Sequence, residues 1–386
     1  MLLYLTFSLS KKELFIINNV IVAVPKEIMD GETRVALIPA VAADLIKNGL
    51  EVRIESGAGE KAFFTDEAFK EAGAKVTDDK KKLFGEADII LKINKPSEEE
   101  VRLMKAGAVL ICLLWALQNK ELVELLAEKK VTALGMEALP RISRAQKMDV
   151  LSSMSSIAGY KSVLIGANSL GKYLPMLMTA AGTIAPSKIL VLGAGVAGLQ
   201  AIATAKRLGA VVEAFDVRPA VKEQVESLGA SFVEVPLEET ETETSGGYAK
   251  ELSEKAKQKQ REVIHERVSK SDIVITTALI PGKPAPELIT AQMVEDMRQG
   301  SVIVDLASEQ GGNCALTQPD KTINHNGVTI HGPLNLAASL PIHASQLYAK
   351  NVTAVLLHLL KDGELVFDFE DEITKNTTIT HDGKKM

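Results

Sequence analysis

"KILVLGAGVAGLQAIATAKRLGAVVEAFDVR", Lys188–Arg218, decides the fold. A short apolar, β-forming run enters Gly193, Gly195 and Gly198, spaced G-x-G-x-x-G, and helical periodicity sets in directly behind them. A glycine turn between a strand and a helix is the start of a βαβ unit shaped for a dinucleotide. The first glycine makes the tight turn, the second lets backbone approach a pyrophosphate, and the third lets helix pack on strand, with the helix N-terminus toward the negative charge. The spacing alone is a weak signal. Here a second strand follows on schedule and ends at Asp216, eighteen residues past Gly198, where a carboxylate accepts from an adenosine ribose hydroxyl. Val196 and Ala197 inside the turn, and Val217 and Arg218 after the aspartate, complete this set of cofactor contacts. Asp216 favours NAD(H) over NADP(H), because a 2′-phosphate beside a carboxylate meets like-charge repulsion. Arg218 is expected as the solvent-exposed partner of a nearby carboxylate.

Outward from this unit the alternation continues. "SFVEV", "DIVITTA" and "SVIVDLA" are the later strands, and "TALIPGKPAP" follows "DIVIT" at the carboxyl edge of the sheet, where such folds bind ligand. Its prolines and glycine are expected to form a stiff wall beside the cofactor, with Thr277, Ala278 and Leu279 as cofactor contacts. Toward the N-terminus, "VIVAV", "EVRIES", "DIILKI", "AVLICLL" and "VTALGM" read as strands, with "PAVAADLIKNG", "TDEAFKEAG", "SEEEVRLMKAG" and "NKELVELLAEKK" as helices between them. The expected fold is α/β, two Rossmann-like doubly wound parallel-sheet domains joined by long helices. Residues 1–19 are expected as a poorly ordered leader, 20–150 with 336–386 as an N-terminal domain, and 151–335 as the NAD(H)-binding domain. A helix over Asp149–Tyr173 joins the two, and "ASQLYAKNVTAVLLHLL", Ala344–Leu360, crosses back. A cleft between the domains is the expected ligand site.

Composition narrows the function. With 386 residues, 46% of them hydrophobic and 24% charged, the chain is long enough for two cores and ordinary for a globular protein. A net charge of −6 with scattered lysines argues against nucleic acid. The longest apolar run, "AGAVLICLLWAL" at Ala106–Leu117, falls short of the roughly 20 residues that cross a bilayer, so no direct membrane span is expected. Cys112 and Cys314 have neither metal-ligand nor disulfide spacing and read as reduced thiols; no metal is expected. All six histidines lie at or beyond His265, so residues 20–150 of the first domain lack the usual acid–base residue of a dehydrogenase. His343 and His358 read as packing or surface residues.

One segment is rich in polar groups yet poor in titratable bases: "LPRISRAQKMDVLSS", Leu139–Ser153. On its residues alone it reads as a helix start, with Asp149 capping and Arg141 and Arg144 solvated.

Several stretches resemble the NAD(H)-binding components of proton-translocating NAD(P) transhydrogenases, relatives in fold of the alanine dehydrogenases. They are "PKEIMDGETRVALIP", "PRISRAQKMDVLSS", "AGYKSVL", "MTAAGTIAPSKILVLGAGVAGLQAIATAKRLGA", "TSGGYAKEL", "ITTALIPGKPAPELIT" and "SVIVDLASEQGGN". The resemblance implies direct hydride transfer between NAD(H) on this chain and NADP(H) on a partner. Arg141, Gln146, Asp149 and Ser152 match the family's Arg-Gln-Asp loop and the serine after it. It further implies that Asp149 and Arg141 hold each other and the NAD carboxamide, while Gln146 reaches to the ribose of the partner's NADP(H). Gly247 and Tyr248 match a mobile loop whose tyrosine closes over nucleotide. Partners implied are NADP(H)-binding and membrane-spanning subunits and a second copy, a homodimer held on the cytoplasmic face of a bacterial membrane. Alanine dehydrogenases, by the same resemblance, carry a substrate-binding lysine where Asn94 stands and a catalytic histidine where Trp115 stands, with Arg34 shared and Glu309 as the acid of "D-Q-G-G". An alanine-type dehydrogenase and a non-catalytic NAD(H)-sensing module remain the alternatives.

Overall fold

The computed structural model describes residues 20–235, 254–280, 283–361 and 363–386. The expected leader and the loop holding Gly247 and Tyr248 lie outside them. The chain divides into two compact units, one made of the chain up to Glu27, Val35–Pro140 and Val352–Met386, the other of Ile28–Arg34 and Arg141–Asn351. Segments 141–150 and 336–351 therefore lie with the second unit.

The first unit is built on an eight-stranded sheet. Its order is Lys384–Lys385, Thr378–His381, Thr132–Gly135, Val109–Leu113, Ile89–Asn94, Ile21–Val24, Glu51–Glu55, Lys75–Thr77. The last six are parallel, and the two C-terminal strands add antiparallel at one edge. Central strands of a parallel sheet are covered on both faces, which is why "VLICL" is buried at every residue.

A seven-stranded sheet organises the second unit, ordered Ser231–Phe232, Val211–Phe215, Lys188–Leu192, Ile273–Thr276, Val302–Asp305, Val328–His331, Thr322–His325. Only the edge strand Thr322–His325 runs antiparallel. Because Lys188–Leu192 has one sequence neighbour on its left and a later strand on its right, the strand order reverses there, and the carboxyl ends flanking that point carry Gly193 and Thr277. Such a switch point is where an open α/β sheet leaves a crevice. Alternate residues feed two cores, Ile189 and Val191 with Ala201 and Ile202 on one face, Leu190 and Leu192 with Ile264 and Met293 on the other.

The helix expected to join the two domains spans Val150–Ser169, inside the second unit, and is shorter than expected because Leu170 turns extended (φ −80°, ψ 126°). It can lie close to its neighbours because its inner face is small. A Cβ on Gly159 would fall 2.1 Å from the Ala197 carbonyl oxygen, and one on Gly166 would fall 3.0 Å from Ile273. Among the hairpins absent from the expected strands, two lie at sheet edges, and each of these turns on a pair with positive φ, Asn326–Gly327 and Asp382–Gly383. Both fit the type I′ turn, whose twist matches that of paired strands.

Candidate nucleotide-binding site

The glycine turn is held from three sides. Gly193, at φ 100°, donates its N–H to Phe215 O at 2.8 Å. Thr277 donates its N–H to Leu192 O at 2.8 Å and its hydroxyl to Gly193 O at 3.0 Å. A Cβ on Gly198 would sit 1.9 Å from that same carbonyl oxygen, so helix Val196–Arg207 can approach only through a glycine. At Gly195 a Cβ would meet nothing within 4 Å. The turn is thus packed solid at Gly193 and Gly198 and open at Gly195, where Val196 is 43% exposed. No side chain caps this helix. Its first-turn amides lack partners inside the helix, the arrangement that takes phosphate oxygens. These residues fit a dinucleotide pyrophosphate.

Asp216 follows the strand Val211–Phe215, and its carboxylate is fully engaged. Oδ2 accepts from Ala194 N (2.7 Å) and Arg218 Nη2 (2.8 Å), and Oδ1 accepts from Arg218 N and Nε (both 2.9 Å). A carboxylate offers about four acceptor positions, so all of them are occupied. The carboxylate that Arg218 was expected to serve is Asp216 itself, and the guanidinium is 17% exposed, not a solvated surface group. The salt bridge sets a cation against the negative charge on which discrimination against a 2′-phosphate was expected to rest.

Along the polar segment, Ser143–Met148 forms a short 3-10 turn and Asp149 caps the joining helix, accepting from Ser152 N (2.9 Å) and Ser152 Oγ (2.6 Å). Arg141 and Gln146 are exposed. Gly159, ten residues along the same helix from Asp149, packs on Ala197 in the glycine turn. At 1.5 Å per residue the helix separates these two points by about 15 Å. It therefore sets the span between the pyrophosphate turn and the Arg141–Ser152 segment.

The wall after Ile273–Thr276 is pinned by a loop anchored on Asp305 and Asn313, which lie in the quoted stretch "SVIVDLASEQGGN" but were assigned no role there. Asp305, wholly buried, accepts from Thr276 Oγ1, Ala307 N, Asn313 N, Cys314 N and Thr317 Oγ1 at 2.7–3.0 Å. Asn313 then reaches Ala278 and Pro286. Leu279, at 43% exposure, stands open on the wall. Cys112 and Cys314 are buried free thiols; burial pushes Cys314 up to about 11 and Cys112 higher than an ordinary thiol. Among the described residues no helix is long and apolar enough to cross a membrane.

Two family profiles cover this architecture, the alanine dehydrogenase/PNT N-terminal domain over residues 23–158 and the C-terminal domain over 162–386. The chain belongs to the alanine dehydrogenase/PNT family. Within that family it is 51% identical to the first segment of NAD(P) transhydrogenase subunit alpha of Rhodospirillum rubrum over 370 residues, 94% of this chain and 96% of the relative. It is 31% identical to alanine dehydrogenase of Halomonas elongata, covering 94% of each chain. The solved transhydrogenase of Sinorhizobium meliloti superposes with a TM-score of 0.87 at 44% identity, over 95% of this chain and all of that one.

Members of both names in the alanine dehydrogenase/PNT family share this fold, so the side chains have to separate them. Asn94 Nδ2 donates to Glu27 Oε2 at 3.4 Å, and Trp115 sits 42% exposed in the left-handed region (φ 50°). Arg34 is not held as a free carboxylate receptor: its Nε and Nη2 donate to Glu32 Oε1 and Oε2 at 2.7 and 2.6 Å, with the arginine 5% exposed. Glu309 Oε1 accepts from Asn335 N at 3.1 Å, fastening a loop.

Proposed function

We propose that this chain is the NAD(H)-binding component of an NAD(P) transhydrogenase, exchanging hydride directly with NADP(H) held on a separate subunit. In the complete enzyme this exchange is coupled to proton translocation. The observation that carries the reading is the pair Asn94 and Trp115, an amide and an indole at positions where the resemblance to alanine dehydrogenases calls for lysine and histidine. Neither side chain can bind a substrate as an ammonium or relay a proton near neutral pH.

Bound NAD(H) supplies the chemistry as a hydride donor or acceptor at its nicotinamide. The chain's own residues bind and orient. Amides behind Gly195 take the pyrophosphate, and Asp216 with Arg218 faces the adenosine ribose. Asp149, fixed by Ser152, and Arg141 hold the carboxamide; Gln146, exposed beside them, reaches toward the partner's nucleotide. The part that the resemblance gives to Gly247 and Tyr248 falls outside the described residues. No titratable base is needed, because direct transfer moves no substrate proton and the barrier is set by how well the reacting carbons are held, about 3–3.5 Å apart. The same reading makes the chain a homodimer that meets NADP(H)-binding and membrane-spanning subunits at the cytoplasmic face of a bacterial membrane.

The test has two arms. Purified chain with NADH, pyruvate and ammonium should show no oxidation of NADH, whereas chain with NADPH, an acetylpyridine NAD analogue and an NADP(H)-binding transhydrogenase component should transfer hydride. Turnover in the first arm alone makes the chain an amino acid dehydrogenase, and binding with no turnover in either makes it a sensor. Gln146→Asn sharpens the second arm: NADH affinity stays near wild type while transfer slows roughly a hundredfold, the scale of a 1 Å misplacement. Asp149→Asn weakens NADH binding as well.

A further inference from the structure

Behind the glycine turn, strand Val302–Asp305 ends on a carboxylate with no solvent exposure. Gly312 takes φ 86°, and a Cβ there would lie 2.8 Å from Asp305 Oδ2, so the chain after the strand is wrapped tightly on that one group. What the wrapped loop presents is Asn313, also fully buried. Its Oδ1 accepts from Ala278 N at 3.0 Å, and its Nδ2 donates to Ala278 O and Pro286 O, both at 2.8 Å. Its own carbonyl accepts from Leu288 N and Ile289 N at 2.8 and 2.9 Å, and its N–H goes to Asp305. One side-chain amide therefore holds both polar groups of Ala278 and the far end of the wall at Pro286. Ala278 follows Thr277, whose hydroxyl donates to Gly193 O, the carbonyl on which Gly198 packs.

We infer that Asn313 is a positioning residue for the dinucleotide, acting through Ala278 and the Thr277 hydroxyl to fix the glycine turn. The inference rests on the reading of Gly193–Gly198 as the NAD(H) site. An amide suits this place because one acceptor must meet an N–H while two donors meet carbonyls. A carboxylate of the same size would set lone pairs against two carbonyl oxygens, and an aliphatic side chain would leave three buried backbone groups without partners. Thr277 is the second half of the device: the isosteric valine keeps the packing and loses only the bond to Gly193 O.

The experiment uses the whole chain with Asn313→Asp, Thr277→Val and Thr277→Ser. NADH affinity comes from fluorescence titration, the unfolding midpoint without ligand from circular dichroism, and KM and kcat from reconstitution with an NADP(H)-binding transhydrogenase component. Asn313→Asp and Thr277→Val should weaken NADH binding about tenfold or more, as expected when buried backbone groups lose partners. The loss should fall on KM more than on kcat, and Thr277→Ser, which keeps the hydroxyl, should recover binding relative to Thr277→Val. A merely structural role would lower the unfolding midpoint and the amount of active protein while leaving KM alone; that outcome overturns the inference, as does wild-type affinity in both disruptive variants. Failure of the unaltered chain to bind NADH overturns the site reading and this inference with it, whereas normal binding with unaffected variants overturns the inference alone.

Discussion

Asp216 and Arg218 illustrate how one residue's charge is tempered by its neighbour. With Arg218 in place the carboxylate is paired on both oxygens. Arg218→Ala should therefore sharpen the preference for NADH over NADPH by leaving a bare negative charge at the ribose end. Asp216→Ala should relax it, by on the order of 1–3 kcal/mol. Equilibrium dialysis with both nucleotides measures this; equal affinities in the unaltered chain would remove Asp216 from the specificity account. The thiols make a second residue-scale case. Burial raises Cys112, and Cys314 to about 11, so neither is a thiolate at pH 8. Iodoacetamide should label the native chain far more slowly than the denatured one, and equal rates would contradict the burial. The turn at Gly193 and Gly198 and the carboxylate of Asp216 after the next strand were legible in the sequence because their placement follows from spacing along one βαβ unit. Asn313 was not, since its partner Ala278 is 35 residues away and the pairing exists only once two loops meet.

At the scale of elements, the contact between the joining helix and the glycine-turn helix admits no extra atom. Gly159→Ala should destabilise the chain by about 1–3 kcal/mol, the usual cost of overpacking, and weaken NADH binding along with it. Urea titration and NADH titration of one preparation test both; an alanine tolerated at full stability means the helices are not in fixed contact. The strand Val328–His331 carries a pH-dependent element. His331 Nε2 lies 2.7 Å from Ser169 Oγ and Nδ1 lies 2.8 Å from Thr322 Oγ1, and burial lowers its pKa from 6.5. A depressed histidine binds its proton more weakly folded than unfolded, so its contribution is intact above pH 6.5 and is lost as pH falls through the folded value. Denaturation at pH 7.5 and pH 5 should show a smaller loss in His331→Gln than in wild type; an identical loss would assign the acid sensitivity elsewhere. The buried parallel strands were readable as apolar runs, while Thr322–His325 and Thr378–His381 were missed. Four residues alternating apolar and polar are too few for periodicity to register, although Asn-Gly and Asp-Gly between the strands were in plain view.

For the whole molecule, the single tryptophan, Trp115, lies in the first unit and the glycine turn proposed to bind the dinucleotide lies in the second. Each unit has its own sheet and core. Ligand at a hundred times its Kd stabilises what it binds by about 2.7 kcal/mol. NADH should therefore move the second unit's unfolding to higher urea, seen by far-UV circular dichroism, more than the transition seen by Trp115 fluorescence. Equal shifts in both signals would mean that the chain unfolds as one cooperative body. That there are two α/β units was legible from the two series of strands, and a return of the far end of the chain was expected from the helix Ala344–Leu360, but the two strands it adds to the first sheet were not. The hairpin that closes the first sheet has a consequence during synthesis. Strands from Ile21 onward leave the ribosome early, yet their edge is covered only when Thr378–Lys385 arrives, after the whole of Arg141–Asn351. The 250 residues from Gly135 to Lys385 take roughly twelve to fifty seconds at about 5–20 residues per second. The half of the protein that is made first is finished last, and the strand Thr132–Gly135 is open in the meantime to pairing with a neighbouring nascent chain.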